Sequence, residues 1–324
     1  MLKLLPAVLV YSALAAGLLA CCAPCNFVPN NPGAPPVPGN GGNPVVVGDP
    51  AEQPAVAFIE GRKGSVKRDE AQPKKPVVEV WLHFTQTTDA DLKQLTSLTQ
   101  LRRLRIGQNP LTGAGLKDLA SLRNLEELDI AATEQFSDAG AKELLALKQL
   151  KVLRVGNTRI TDAGLRDIAK LAQLEDLDFE GNFQVTNAGI IALTNLKQLR
   201  KLNAGNTHIG NAAVAELAKM PRLQALSVHG SKVDDDGLAS LPQLATLEEL
   251  MVNGFGITDK GMKSLAACKG LRVLRLFHTG VTDVGFRELD ALPNLREIEL
   301  RDTKISIAAI AQFIKTHPTC SVKQ

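Results

Sequence analysis

From Val77 onward one pattern returns every 24 or 25 residues. Copies begin at Val77, Leu101, Leu125, Leu150, Leu174, Leu199, Leu223, Leu247, Leu271 and Leu295. The copy at Leu150 reads LKVLRVGNTRITDAGLRDIAKLAQ, and the copy at Leu271 reads LRVLRLFHTGVTDVGFRELDALPN. A unit this short cannot bury its own apolar face. About ten of them must stack and bury it between neighbours. Length alone, 324 residues, suggests two domains, but the unbroken register replaces them with one array. Ten Phe, one Tyr and one Trp make only 4% of the chain, so the layers are filled with Leu rather than rings.

The shared frame is L-x-x-L-x-[LIV]-x-x-[TN]-x-[IV]-[TS]-[DN]-x-G-L-x-x-L-x-x-L. Its start alternates as a half-buried strand does, with Leu150, Leu153 and Val155 facing inward in one copy. The ninth position holds Thr85, Asn109, Thr133, Thr158, Asn182, Thr207, Ser231, Phe255, Thr279 and Thr303. There the chain turns, and a buried Thr or Asn side chain can bond the turn's backbone groups. Phe255 cannot. Thr161-Asp162 then opens a helix: the hydroxyl caps free N–H groups, and the carboxylate suits the positive helix end. Leu165, Ile168 and Leu171 return to the core. Each copy is therefore strand, turn and short helix, which makes the chain α/β.

Ten registered copies of this kind resemble the leucine-rich repeat family, in its bacterial ITDAGL form, over residues 77–324. The resemblance implies a curved horseshoe solenoid, with a parallel β-sheet on the concave face and short helices on the convex face. Ala55–Pro76 looks like the N-terminal cap segment that precedes such repeats, and KTHPTCSV looks like a C-terminal cap. Ile307, Ala308 and Ala309 replace the Asp-x-Gly of the frame, as expected where a stack ends.

By the same resemblance the ligand surface is the outward face of the strands. Its central row reads Trp81, Arg105, Asp129, Arg154, Asp178, Asn203, Ser227, Met251, Arg275 and Glu299. Signs alternate from rung two to rung five, which reads as a self-neutralised ladder. After the sixth strand the ladder loosens. His229, Met251, Asn253, Arg275 and Phe277 then form the candidate partner-binding set, with the composition of a protein-binding hot spot. Trp81 is expected to pack under the cap.

Catalytic and metal-binding patterns are missing from the sequence. His83, His208, His229, His278 and His317 form neither H-x-x-x-H nor H-E-x-x-H, and no G-x-S-x-G or phosphate-binding loop occurs. The expectation is no enzyme, no metal and no cofactor. A net charge of +3, from 37 basic and 34 acidic residues, with alternating signs on the strand face, speaks against nucleic acid. Cys268 reads as a buried small hydrophobe. A disulfide from Cys268 to Cys320 is the weaker alternative, because they lie two repeats apart.

Residues 1–22 read as an export signal with one charge, Lys3, and an apolar run ending at Cys21. Leu18-Leu19-Ala20-Cys21 resembles a bacterial lipobox, with Cys21 as the lipidated residue and Leu19 where a smaller residue is usual. Ordinary secretion and an uncleaved anchor are the alternatives. Cys22 and Cys25 form a C-x-x-C with no second pair or strand–helix context, so no metal site is assigned to them. Residues 23–54 hold nine Pro with many Gly and Asn and read as a disordered, semi-extended tether. Residues 55–76 are the cap segment, and 77–324 the solenoid.

The functional reading is a non-enzymatic scaffold for an unknown protein partner. It is exported and held at the cell envelope or outer membrane by a lipid or signal anchor, with the solenoid itself soluble. A structural or self-associating envelope protein is the alternative. Similarity to the repeats of F-box substrate adaptors is a remote third reading, since an export signal and a Pro-rich spacer stand where an F-box would be.

Overall fold

The computed structural model describes residues 48–324. Twelve strands form one sheet in chain order. The first two are antiparallel: β1 (Ser65–Arg68) against β2 (Val77–Trp81). Nine parallel strands continue as β3 (Arg103–Arg105), β4 (Glu127–Asp129), β5 (Val152–Arg154), β6 (Asp176–Asp178), β7 (Lys201–Asn203), β8 (Ala225–Ser227), β9 (Glu249–Asn253), β10 (Val273–Phe277) and β11 (Glu297–Arg301). β12 (Ser321–Lys323) closes the sheet, parallel to β11. The register is invariant: Leu128, Leu153, Leu177 and Leu202 are successive partners, all essentially inaccessible.

A helix α1 (Gln53–Gly61) covers the first layer with Ala55, Val56 and Ile59. The chain is thus helical ahead of Ala55, the expected start of the cap, and a short 3-10 turn begins at Pro50. Arg68 bonds Glu52, whose carboxylate also accepts from the Val77 N–H, which ties this end to the first repeat strand. On the convex side run short helices: α2 (Asp138–Glu143), α3 (Asp162–Ile168), α4 (Asn187–Leu193), α5 (Asn211–Leu217), α6 (Asp235–Leu238), α7 (Asp259–Leu265) and α8 (Asp283–Arg287). The longer α9 (Ile307–Thr316) buries Ile310 and Phe313 over the last layer. Phe286 packs on Phe313, and the His317 ring stacks on Phe313 as well.

Much of the ninth-position ladder bonds as its chemistry requires, but among the described residues the buried Thr133 and Thr279 hydroxyls have no hydrogen-bond partner. Asn109 accepts from the Thr85 and Thr87 N–H groups and donates to the Leu82 and Ile106 carbonyls. Asn182 links the Leu150 and Leu174 copies similarly, accepting from the Thr158 N–H and hydroxyl and donating to the Val155 and Phe179 carbonyls. Phe255 turns outward and is 73% exposed.

The position just before it takes the left-handed conformation in every copy: Phe84, Gln108, Ala132, Asn157, Gly181, Asn206, Gly230, Gly254, His278 and Asp302 all have positive φ. Ala132, at φ 54°, has neither a glycine's freedom nor a polar group to offset the strain. Ala132→Gly is expected to stabilise the fold by about 0.5–1 kcal/mol, read as a shift in urea midpoint.

The Asp of the ITDAGL frame has a role that its own helix does not explain. The expected Thr cap is present: Thr161 Oγ1 accepts from the Ala163 N–H. Asp162, however, reaches into the next copy, where it accepts from the Thr186 N–H at 2.8 Å and the Thr186 hydroxyl at 2.7 Å. Asp138 holds Thr161 the same way and also accepts from the Gly164 N–H at 2.9 Å. Asp89, Asp235, Asp259 and Asp283 repeat this bracket. Asn211 replaces Asp where the next copy offers the acceptor Asp234 instead of a Thr, and its amide donates at 2.7 Å. At the last copy Ile307 has no following repeat to hold and is 78% exposed.

Cys268 and Cys320 are both buried free thiols, so the disulfide alternative does not hold. Burial pushes the Cys268 thiol up to about 11. Cys21, Cys22, Cys25, the export segment and most of the tether lie outside the described residues. Among the described residues, no helix is long and apolar enough to cross a membrane.

Candidate functional site

Three outward rows line the concave sheet, two residues apart on each strand. The central row is the one read from the sequence. Near the start of the stack the charges pair across rungs. Arg103 bonds Glu79 at 3.1 Å, Arg105 bonds Glu127 at 3.2 Å, and Arg154 lies 3.6 Å from Asp176. The Arg105 guanidinium lies over Trp81, which is half-buried with its indole N–H unpartnered.

The ladder does not stay loose after the sixth strand. It resumes at β10, where Arg275 contacts Glu299 at 3.2 Å and Glu297 at 3.7 Å. Arg301 and Lys323 join the same carboxylates. Arg275 and Glu299 are neighbours in the central row and opposite in sign, so this pair was visible in the sequence although the expectation followed the ladder only to the sixth strand. Two paired blocks therefore bracket β7 to β9. There the rows hold Lys201, Asn203, Ala225, Ser227, Glu249, Met251 and Asn253, with no cation–carboxylate pair between these strands among the described residues.

The expected binding set divides by exposure. Asn253 and Arg275 are half-buried. Met251 is 1%, Phe277 2% and His229 3% exposed, so these side chains form a floor rather than protruding anchors. The Arg301 guanidinium lies 5.4 Å from the Phe277 ring centre.

His229 anchors a polar network that the sequence did not reveal. Its Nδ1 is 2.8 Å from Ser227 Oγ, and its Nε2 is 3.1 Å from Glu180 Oε1, two rungs away. The ring crosses the intervening rung over Gly205, where any Cβ would collide with it. Asn203 and Asn206 donate to the same Glu180 carboxylate. The one available signal was the small residue in the flanking row between Glu180 and His229.

Asp178 sits beside this network. Burial pushes its carboxyl up to about 6, and the neighbouring Glu180 carboxylate adds to the rise. Donation from the Glu180 N–H and the Asn203 amide only partly offsets this. Burial also works against Glu180, but its bonds to His229, Asn203 and Asn206 outweigh that and hold it below the usual carboxylate range. A raised folded-state value means that Asp178 contributes fully below about pH 4, its unfolded value, and that this contribution is lost as pH rises through about 6. Asp178→Asn is therefore expected to gain melting temperature relative to wild type as pH rises from about 4 to about 6, with the gain levelling off above that. A pH-independent difference would contradict this reading.

No group of His, Cys, Asp or Glu among the described residues could hold a metal ion. Ser227, His229 and Glu180 form a hydrogen-bonded chain, but Ser227 is fully buried.

The fold is similar to that of a solved internalin. Internalin C2 from Listeria monocytogenes superposes with a TM-score of 0.51 at 24% identity, covering 78% of this chain and 93% of that one. An internalin, inlF, from the same organism gives 0.42 at 16% identity, covering 86% and 98%. At these identities the likeness concerns fold alone. No curated protein matches the sequence. The family model described as a leucine-rich repeat region matches residues 78–255, more than half of the chain. With that match, the stacked frame and the unclosed parallel sheet, the chain belongs to the leucine-rich repeat family.

Proposed function

We propose that this chain is a non-enzymatic scaffold that binds a protein partner on its concave sheet. It is held at the cell envelope by its N-terminal segment, with Cys21 as the lipidated residue. The observation that carries the binding reading is the gap between the two charge-paired blocks. Elsewhere on the concave face the strand charges satisfy one another. Across β7 to β9 the rows carry the charges Lys201 and Glu249 and the half-buried Asn253 beside the buried Asn203, Ala225, Ser227 and Met251, and covering this stretch breaks no ion pair between these strands. Asn253 and Arg275 stand at the edge of this gap, above a floor formed by His229, Met251 and Phe277.

The test uses the full chain immobilised in envelope extract, beside the variant Asn253→Ala/Arg275→Ala and the convex-side control Lys170→Ala. The expected result is a partner retained by wild type and control and weakened at least about tenfold by the double variant. Equal retention by all three would place the site elsewhere. Capture of the chain's own copies alone would favour the self-associating alternative.

A further inference from the structure

We propose that this chain binds a second copy of itself, with the edge where the strands end in one molecule seated on the edge where they begin in the next. The concave sheet stays open in such a pair, so the inference does not rest on that face binding a partner.

The two edges carry opposite formal charge. The nine loops that enter β3 to β11 hold twelve Lys and Arg against three Glu. Those Glu are paired on the same edge: Glu126 with Lys151, Glu175 with Arg200 and Glu248 with Arg272. Arg102, Arg123, Lys148, Lys197, Arg222 and Lys269 are exposed and form no ion pair among the described residues. The loops that leave β2 to β11, each taken with the first residue of the helical turn it leads into, hold ten Asp and Glu against three Lys and Arg. Like edges therefore repel, and unlike edges attract.

The edges also match in shape. Because the strands keep one register, a translation along them places every rung of one molecule over the same rung of the next. Phe183 leaves β6 and Phe255 leaves β9, and they are 63% and 73% exposed. Translation sets them against the loops that enter β6 and β9. In those loops the position two residues ahead of each copy departs from its neighbours. It holds a long cation in Arg123, Lys148, Lys197 and Lys269, and alanine only in Ala172 and Ala245, ahead of β6 and β9. Ala245, Thr246 and Gly270 open a notch walled by Arg272, Asn294 and Arg296. Each protruding ring thus faces a missing side chain in the same rung. The guanidinium groups beside the notch suit cation–π contact with the Phe255 ring. A contact made by translation is heterologous and does not close, so copies form an open series.

The test is complementation with the full chain. Phe183→Ser/Phe255→Ser removes the protruding rings, and Ala172→Glu/Ala245→Glu fills the spaces they face. All four positions are exposed, so both variants should keep the wild-type melt. In sedimentation velocity at low salt, wild type is expected to grow with concentration through dimers to longer species, and to shrink as salt screens the edges. Each variant alone should associate at least about tenfold more weakly. Mixed one to one, the variants retain one intact edge of each kind, so dimers return and longer species do not. A monomeric wild type, variants that associate like wild type, or a mixture no stronger than either variant would each overturn the proposal. To separate this contact from any gathering through the N-terminal segment, p-benzoylphenylalanine in place of Phe255 should crosslink to residue 245, 246 or 270 of a second copy. Crosslinks to other regions alone, or none, would also overturn it.

Discussion

Leu177→Ala is expected to cost about 2–5 kcal/mol in urea melts. Leu177 lies in β6, in register with Leu153 and Leu202, and is inaccessible to solvent. Removing its isobutyl group leaves a void between two layers that the fixed spacing of the strands prevents from collapsing. Because each repeat touches only its neighbours, the loss falls on one interface. In a chain of this kind such a defect also broadens the transition, as the two halves uncouple. Arg154→Ala, on the opposite face of the adjacent strand, should change stability by under about 1 kcal/mol, because its pairing with Asp176 is partly solvated. Equal losses from the two substitutions would refute the assignment of inward and outward rows.

Gly164→Ala is expected to destabilise by about 2–3 kcal/mol. In an ordinary helix this change would stabilise by about 0.5–1 kcal/mol, because alanine is the better helix former. Gly164 lies in the first turn of α3, where a Cβ would stand 2.5 Å from Asp138 Oδ1. The carboxylate would have to leave the Thr161 and Gly164 N–H groups that it now accepts from. The sign of the effect therefore separates the two explanations for this glycine. A gain in stability would mean that the bracket contributes nothing.

The fold was legible because the leucine spacing is a direct record of what each side chain must face. The inward row, the Thr and Asn turn ladder and the helix returns at Leu165, Ile168 and Leu171 are all one-dimensional patterns. The Asp bracket was not legible, because its partner is a full repeat away: within one copy Asp162 reads equally well as a charge at its own helix start. The candidate site was legible only as rows. Charge alternation announced the pairing of Arg103 and Arg105 with their neighbours and offered the same sign for Arg275 and Glu299, which was not followed past the sixth strand. Nor could a row show that Met251 and Phe277 are buried although they point outward, or that the His229 ring crosses Gly205 to reach Glu180.

The central claim is that these repeats lock to one another edge to edge, so that the chain presents its faces as one fixed scaffold. A double-mutant cycle on Asp138 and Thr161, which belong to adjacent copies, tests it most directly. Stability to urea would be measured for wild type, Asp138→Ala, Thr161→Val and the double variant. The bracket predicts a coupling energy of about 1.5–3 kcal/mol, the range for a hydrogen bond to a charged group. Additive losses would mean that the Asp138–Thr161 side-chain bond does not couple the two copies, and the lock claimed for that pair would not stand.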